Sequence, residues 1–339
     1  MNLGLVRVAA IALATLLVGC AGVPDVPPHA PDTVTPAFDG GVLRADDGVT
    51  LPLRSWLPDG PPRAVVLYVH GFNDYSHGVA GPAAAFARDG IATFAYDQRG
   101  FGRAADRGGW AGARQLAQDM AEATRLLRAR YPGVKLFILG ESMGAAVAIV
   151  GATSTAGAEK PTADGYILLA PAVWGRDQMN VFERGALWLA DTFMPNATFT
   201  GSSLHILASD NIEMLRELAR DPLFIKATRA STIEGLVSLM TLAQNSAPLF
   251  DQHALILYGN HDEIIPPRAI QRFLARLPAV PSGTRRIAYY RKGYHMLARD
   301  LEAATVIRDM ESWMTAPDAP LPSGADRDLP PGFTGRAWG

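Results

Sequence analysis

The residue with the clearest capacity for chemistry is a serine on a predicted sharp turn. Ser142 lies in the segment G-E-S-M-G, which matches G-x-S-x-G, a pattern that presents a serine nucleophile between a strand and a helix. Gly140 and Gly144 lack side chains, as a strained turn requires where backbones approach closely. Residues 134–139 are rich in strand formers and residues 145–150 are small, so the flanking strand and helix are both predicted. We therefore interpret Ser142 as a nucleophile.

A serine nucleophile needs a histidine to take its proton and a carboxylate to orient that histidine. Asp262 follows a predicted strand by the short turn G-N-H-D, and His295 follows the next predicted strand and a glycine loop. The carboxyl ends of parallel strands share one sheet edge, where reactive groups of such folds gather. Serine, aspartate and histidine in this chain order predict a catalytic triad.

Other residues compete for both roles. For the acid, Glu263 is adjacent to Asp262, and Asp251 lies just before the preceding strand. Asp262 is favoured because its short turn would place it above the sheet edge. We assign no role to five histidines, because each lies away from a predicted strand end, precedes a strand or is adjacent to Asp262. They are His29, His77, His205, His253 and His261.

The predicted oxyanion hole has two backbone donors. His70, Gly71 and Phe72 end another predicted strand, at the place where this type of site has one donor. We predict that the N–H of Phe72 is that donor and that the N–H of Met143, at the start of the helix after Ser142, is its partner. His70 is expected to order this loop through hydrogen bonds and not to act as the base.

The elements around these residues alternate between strand and helix, which predicts an α/β fold with a mostly parallel sheet. A hairpin is expected at residues 41–56. The predicted core comprises residues 39–173 and 246–315, and residues 174–245, amphipathic and without a clear strand, are predicted to form a helical cap over the site. The alternative interpretation is that residues 174–245 form ordinary core helices. Residues 316–339, without periodicity, are expected to be an irregular tail.

Composition excludes some classes of function. The chain has 339 residues with 31 basic and 33 acidic side chains, and 48% of its residues are hydrophobic. This balance gives no indication of nucleic-acid binding, while the apolar content suffices for a sizeable core. No metal-ligand cluster, phosphate-binding loop or dinucleotide fingerprint is present in the sequence, so no metal or cofactor is expected. The oligomeric state is left open.

The N-terminus predicts export. Residues 1–19 carry one early positive charge and then an apolar run, the layout of a signal peptide. The run ends in L-V-G-C, which resembles the cleavage box of bacterial lipoproteins and implies that Cys20 is lipidated. Ala21 follows, and this resemblance favours the outer membrane of a Gram-negative cell, facing the periplasm. Residues 20–38, rich in proline, are expected to be a tether.

Five segments together resemble the monoacylglycerol lipase and lysophospholipase branch of the α/β-hydrolases. They are H-G-F-N-D-Y-S-H, Y-D-Q-R-G-F-G, G-E-S-M-G, the helical insertion and G-N-H-D with Y-H-M, within residues 40–315. Gln98 and Phe101 stand where that branch often has histidine. The resemblance implies a serine hydrolase of ester bonds acting on lipid-like substrates. A thioesterase, a peptidase, an acyltransferase or a non-catalytic envelope lipoprotein with this fold were the alternatives.

Overall fold

A computed structural model of the chain describes residues 34–154, 160–201, 206–281 and 284–333. The predicted signal peptide, Cys20 and most of the predicted tether lie outside the described residues. The strands are β1 Ala37–Asp39, β2 Val42–Arg44, β3 Thr50–Trp56, β4 Ala64–Val69, β5 Ile91–Tyr96, β6 Lys135–Glu141, β7 Gly165–Leu169, β8 Thr198–Phe199, β9 Thr228–Arg229, β10 Ala254–Gly259 and β11 Arg285–Tyr290.

Nine of these strands form one sheet in the order β1-β2-β3-β5-β4-β6-β7-β10-β11. The pairs from β5 to β11 are parallel, and the three N-terminal strands are antiparallel to their neighbours. Every residue of β4, β5, β7 and β10 is buried, as expected for parallel strands covered on both faces. The predicted α/β class with a mostly parallel sheet is confirmed.

Helices cover both faces of this sheet. They are α1 Ala80–Arg88, α2 Ala113–Arg130, α3 Met143–Thr153, α4 Val181–Phe193, α5 Ile212–Arg220, α6 Ala230–Ser246, α7 Pro267–Arg276 and α8 Ala303–Thr315. Side chains of α2, α3 and α7 share one core cluster, and those of α1 and α8 share the cluster on the opposite face. All of α3 is buried, which explains why its residues are small. In the described ranges, none of the helices combines the length and apolar character that a bilayer crossing needs.

Two boundaries differ from those predicted. Strand β1 begins at Ala37, inside the segment interpreted as tether, because it pairs with β2 as the outermost strand of the sheet. Helix α6, assigned to the cap, buries Leu239, Met240 and Ala243 in the main core, so this helix is also part of the body. The pair β8–β9 lies in the predicted cap and does not join the main sheet.

The described part of the tail, residues 316–333, contains neither helix nor strand but packs on the body. Phe333 is buried, with its ring 4.8 Å from that of Tyr289 and 5.4 Å from that of Tyr258. Asp326 forms an ion pair with Arg286 near the start of β11. The tail therefore covers the edge strand of the sheet, which would otherwise be open to solvent.

Candidate active site

Ser142 occupies a strained turn between β6 and α3. Its φ of 52° and ψ of −111° lie in a region that residues other than glycine rarely adopt. The Ser142 N–H donates to the carbonyl of Leu169, at the end of β7, over 2.9 Å. The turn thus presents the serine at the carboxyl edge of the parallel strands, at the N-terminus of a fully buried helix.

The two glycines of the motif are required by backbone contacts. A Cβ at Gly144 would lie 1.9 Å from the carbonyl oxygen of Val69, the last residue of β4. A Cβ at Gly140 would lie 2.6 Å from the backbone nitrogen of Ala145. Contacts under about 3.0 Å are not tolerated when the neighbour is backbone, which cannot rotate away. The G-x-S-x-G spacing therefore follows from the crossing of β4, β6 and α3.

The side chains of the predicted acid and base are in contact. The His295 Nδ1 lies 2.8 Å from Oδ2 of Asp262, and both side chains are buried. The other oxygen, Oδ1, accepts the N–H groups of Ile264 and Ile265 over 2.9 and 2.8 Å. Burial disfavours charge on the His295 ring, but the adjacent Asp262 carboxylate outweighs this and raises the pKa of His295. The carboxylate is thus held in place to orient one ring tautomer.

The loops that carry these two residues are joined by backbone hydrogen bonds. The N–H of Asn260 donates to the carbonyl of Tyr290 over 2.9 Å, and that of His261 donates to the carbonyl of Gly293 over 2.8 Å. A Cβ at Gly259 would lie 2.4 Å from the carbonyl oxygen of Tyr294. The close backbone approach explains why glycine ends β10 before the acid.

His70 is buried and both of its ring nitrogens are occupied. The N–H of Gln98 donates to Nε2 over 2.9 Å, and Nδ1 lies 2.8 Å from the carbonyl oxygen of Gly71, so Nδ1 carries the proton. Gln98 Nε2 also donates to the His70 carbonyl over 2.9 Å. Burial lowers the pKa of His70, which keeps the ring neutral. His70 thus links the two loops that follow β4 and β5, and it has no ring nitrogen left for proton transfer.

The two predicted oxyanion donors lie on segments that touch. A Cβ at Gly71 would lie 3.6 Å from the Cβ of Ser142, so the loop before Phe72 lies against the nucleophile turn. Among the described residues, neither the N–H of Phe72 nor that of Met143 donates a hydrogen bond to the protein. Both groups therefore remain available to a ligand beside Ser142.

The competing residues have other partners. Oε2 of Glu263 accepts the N–H of Leu207 over 2.7 Å, and Asp251 is exposed. The ring of His253 stacks 4.8 Å from that of Trp313, and the ring of His261 lies edge-on to Tyr294. Within the described ranges no group of three His, Cys, Asp or Glu side chains could hold a metal ion.

Sequence reasoning missed a buried charge cluster directly behind the nucleophile. One Nη of Arg299 lies 2.7 Å from Oδ2 of Asp74 and 3.0 Å from Oε1 of Glu141, and the Tyr68 hydroxyl donates to the other oxygen of Glu141. We call these four residues the Arg299 cluster. The available signal was Glu141 itself, a charged residue at the buried end of a strand whose other buried residues are uncharged. Its partners come from two distant parts of the chain, residues 68–74 and Arg299, and share no sequence spacing with it.

The cap is fixed to the site at two loops. On the oxyanion side, the N–H of Ile225 donates to the carbonyl of Asn73 over 2.9 Å. On the base side, the N–H of Met296 donates to the carbonyl of Ala208 over 3.0 Å, and Ser209 Oγ donates to Asp300 over 2.6 Å. Residues 206–229 of the cap are thereby joined to both halves of the site.

Helix α4 of the cap is different, because none of its residues is buried. Five of its exposed large side chains are apolar, and Phe182 is 84% exposed. The others are Val181, Trp188, Leu189 and Phe193. An exposed apolar surface of this kind is typical of a contact with lipid or another apolar partner.

A cavity of about 720 Å³ lies between α1, α5 and α8. Its walls include Asp74 and Arg299 of the cluster, and Met214 and Leu218 of α5. Its lining contains none of the three predicted triad residues. This cavity is therefore distinct from the space immediately around Ser142.

The strand order, the strained serine turn and the acid and base at one sheet edge are those of an α/β-hydrolase. Residues 60–302 match the family described as serine aminopeptidase, S33, and the chain belongs to this family. The match runs from just before β4 to just beyond the base loop, and residues 39–59 and 303–315 of the predicted core lie outside it.

Relatives and solved structures agree on this class. Monoglyceride lipase of Rattus norvegicus is 24% identical over 276 residues, covering 79% of this chain and 88% of the relative. Monoacylglycerol lipase of Mycolicibacterium smegmatis is 24% identical, covering 79% and 94%. A soluble variant of monoglyceride lipase from Saccharomyces cerevisiae superposes with a TM-score of 0.68 at 20% identity, covering 86% and 99%. The chain is a carboxylic ester hydrolase of the lipase and esterase type.

Proposed function

We propose that this protein hydrolyses lipid-like acyl esters, such as monoacylglycerols or lysophospholipids, through an acyl-enzyme on Ser142. The observation that carries the proposal is the buried His295–Asp262 pair, 2.8 Å apart, at the same sheet edge as a serine held at a φ of 52°. A strained serine without a base would have no catalytic use, and an oriented histidine needs a group from which to take a proton.

In the proposed mechanism, Ser142 Oγ attacks the acyl carbonyl while His295 Nε2 accepts its proton. The N–H groups of Phe72 and Met143 stabilise the oxyanion. His295 then protonates the departing alcohol, leaving the acyl group on Ser142. Water activated by His295 adds to this ester, and its collapse regenerates the serine. Asp262 stabilises the imidazolium in both steps and remains ionised throughout.

The lipid-like character of the substrate is inferred from the cap and from the relatives. Helix α4 exposes a surface that is mainly apolar, and the relatives from rat and Mycolicibacterium smegmatis are lipases of monoacylglycerols by name. An exposed apolar surface on the cap suits a substrate that arrives from a membrane or micelle.

We also propose that the protein is a lipoprotein, anchored through Cys20 in the outer membrane and facing the periplasm. The support is the signal-like layout of residues 1–19 and the position of the single cysteine at the cleavage box. Fully extended, residues 20–33 would span at most about 50 Å. Such an anchor would keep the site next to lipid. Incorporation of radiolabelled palmitate that is lost in Cys20→Ser tests it; equal labelling would contradict it.

The proposed activity is tested with a series of p-nitrophenyl esters from acetate to palmitate, followed by monoacylglycerols. A rate that peaks at medium or long acyl chains is expected. A peak at acetate or butyrate would instead make the protein an esterase of small substrates. Folded protein that hydrolyses no member of the series would contradict the proposal.

Peptide-bond hydrolysis by the same site is the second candidate activity, because the family that matches is described as serine aminopeptidase. Aminoacyl p-nitroanilides compared with the esters at equal concentration separate the two. A higher kcat/KM for the anilides would favour the peptidase.

The Asp262→Asn variant is expected to retain the fold and to lose about 10⁴-fold in kcat, since the amide stabilises the wrong tautomer of His295. Steady-state kinetics on the best ester measure the loss. Glu263→Gln is the matched control, because its carboxylate contacts the cap and not His295. Equal effects of the two substitutions would contradict the role given to Asp262.

A further inference from the structure

The Arg299 cluster connects the three segments that the proposed reaction needs. Glu141 is the last residue of β6 and directly precedes Ser142. Asp74 lies two residues after Phe72, in the oxyanion loop, and Arg299 lies four residues after His295, in the base loop. A single guanidinium at 2.7 Å from Asp74 and 3.0 Å from Glu141 therefore joins the nucleophile turn, the oxyanion loop and the base loop.

Burial and the contacts within the cluster both act on the pKa values of Arg299 and Tyr68. Asp74 and Glu141 are buried, and the Arg299 side chain is only 13% exposed. Burial lowers the pKa of Arg299, but Asp74 and Glu141 outweigh it and hold that pKa well above its usual value. Burial raises the pKa of Tyr68, so its hydroxyl keeps the proton that it donates to Glu141.

Stability alone does not account for such a cluster. A buried ion pair gains little over apolar side chains of similar volume, because desolvation offsets the attraction. The position of the cluster, beside Ser142 and in contact with both flanking loops, indicates a role in arranging the site.

We propose that Arg299 is a positioning residue that acts through Glu141 and Asp74 to fix the spacing of Ser142, the oxyanion donors and His295, and that Glu141 supports the positive charge His295 acquires during the reaction. This inference rests on the proposed function, because it concerns the arrangement of the proposed triad. It assigns no contact with substrate to Arg299. Neither residue needs to move a proton for this role.

The electrostatic part of the proposal predicts opposite effects from two substitutions. The charged groups that act on His295 are Asp262 and Glu141, which raise its pKa, and Arg299, which lowers it. Catalysis needs neutral His295, so kcat/KM of the unaltered protein should rise with pH through a midpoint above the ordinary value of 6.5. Glu141→Gln removes a negative charge and moves this midpoint to lower pH. Arg299→Met removes a positive charge and moves it to higher pH.

The positioning part predicts a loss in kcat. A misplacement of about 1 Å between serine and histidine costs about 100-fold in rate, so we expect kcat to fall ten- to a hundredfold in Arg299→Met with a smaller change in KM. Arg299→Lys keeps the charge but replaces the planar fork by a point charge. Arg299→Lys should therefore have the pH midpoint of the unaltered protein but only part of its kcat. A residue with a merely structural role would not produce this pattern.

The experiment is a set of pH–rate profiles for kcat and kcat/KM on one p-nitrophenyl ester, with circular dichroism to establish folding. Arg286→Met is the matched control, because Arg286 forms a partly buried ion pair with Asp326 at the far end of the sheet. It should lower thermal stability without moving the pH midpoint. If Arg299→Met does not fold, Glu141→Gln, which conserves shape, still tests the direction of the shift.

The inference would be overturned if the pH midpoint is the same in the unaltered protein, in Glu141→Gln and in every folded Arg299 variant. It would also be overturned if the midpoint of Arg286→Met moves as far as that of Arg299→Met. Failure of the proposed function itself is separate. It would appear as full activity in Ser142→Ala, whereas failure of this inference leaves that variant inactive and the pH profiles unchanged.

Discussion

Ser142→Ala is expected to lower kcat/KM for the best acyl ester by at least about a thousandfold. The residues of a triad act as a unit, so loss of the nucleophile removes nearly all of the rate enhancement that they provide together. The free energy of unfolding should change little, because alanine removes no buried hydrogen bond and the strained turn remains. The measurement is initial-rate kinetics on purified protein, with background hydrolysis subtracted.

Ser154→Ala is the control for this variant. Ser154 lies at the other end of the same helix, α3, and has no contact with the site. It should retain full activity, which would show that a serine-to-alanine change in this helix is not harmful by itself. Ser142→Ala activity within tenfold of the unaltered protein would contradict the role of Ser142.

Gly144→Ala is expected to lower the free energy of unfolding by about 3 kcal/mol or more and to abolish activity. The added Cβ would lie 1.9 Å from the oxygen and 2.5 Å from the carbon of the Val69 carbonyl, and 2.9 Å from the His70 oxygen. These are backbone atoms, at the end of β4 and the start of the oxyanion loop, so relief requires the helix or the strand to shift. Urea denaturation followed by fluorescence measures the loss.

Gly185→Ala provides the matched control. Gly185 lies within helix α4, and a Cβ at this position would meet nothing within 4 Å. Alanine should therefore stabilise that helix by up to about 1 kcal/mol, because glycine loses more backbone entropy on folding. Equal effects of the two substitutions would show that the close approach at Gly144 is not present in solution.

The strands were the most predictable part of this fold. Residues 134–139 were predicted as a strand and lie largely within β6, Lys135–Glu141. They are a short run rich in apolar strand formers, which fits a buried parallel strand. Strand β1 could not be predicted, because three residues carry no periodicity and their strand state depends on pairing with β2.

The site was partly predictable for a related reason. Ser142 directly follows β6, Asp262 lies three residues after the end of β10 and His295 lies five residues after the end of β11. Parallel strands bring their carboxyl ends to one edge. Arg299 and Asp74 could not be found in this way, since their meeting depends on how three loops fold over that edge. The shape of the substrate pocket depends on the cap in the same manner, so sequence patterns indicate its apolar character only.

Labelling with a fluorophosphonate, followed by intact mass and peptide mapping, shows directly whether Ser142 is an activated nucleophile. We expect one adduct per chain, on the peptide that contains Ser142, and none in Ser142→Ala. We also expect slow labelling in Asp262→Asn, because reaction of the serine requires the oriented histidine. Folded protein that takes up no label, or equal labelling of Ser142→Ala, would contradict the assignment of Ser142 as an activated nucleophile.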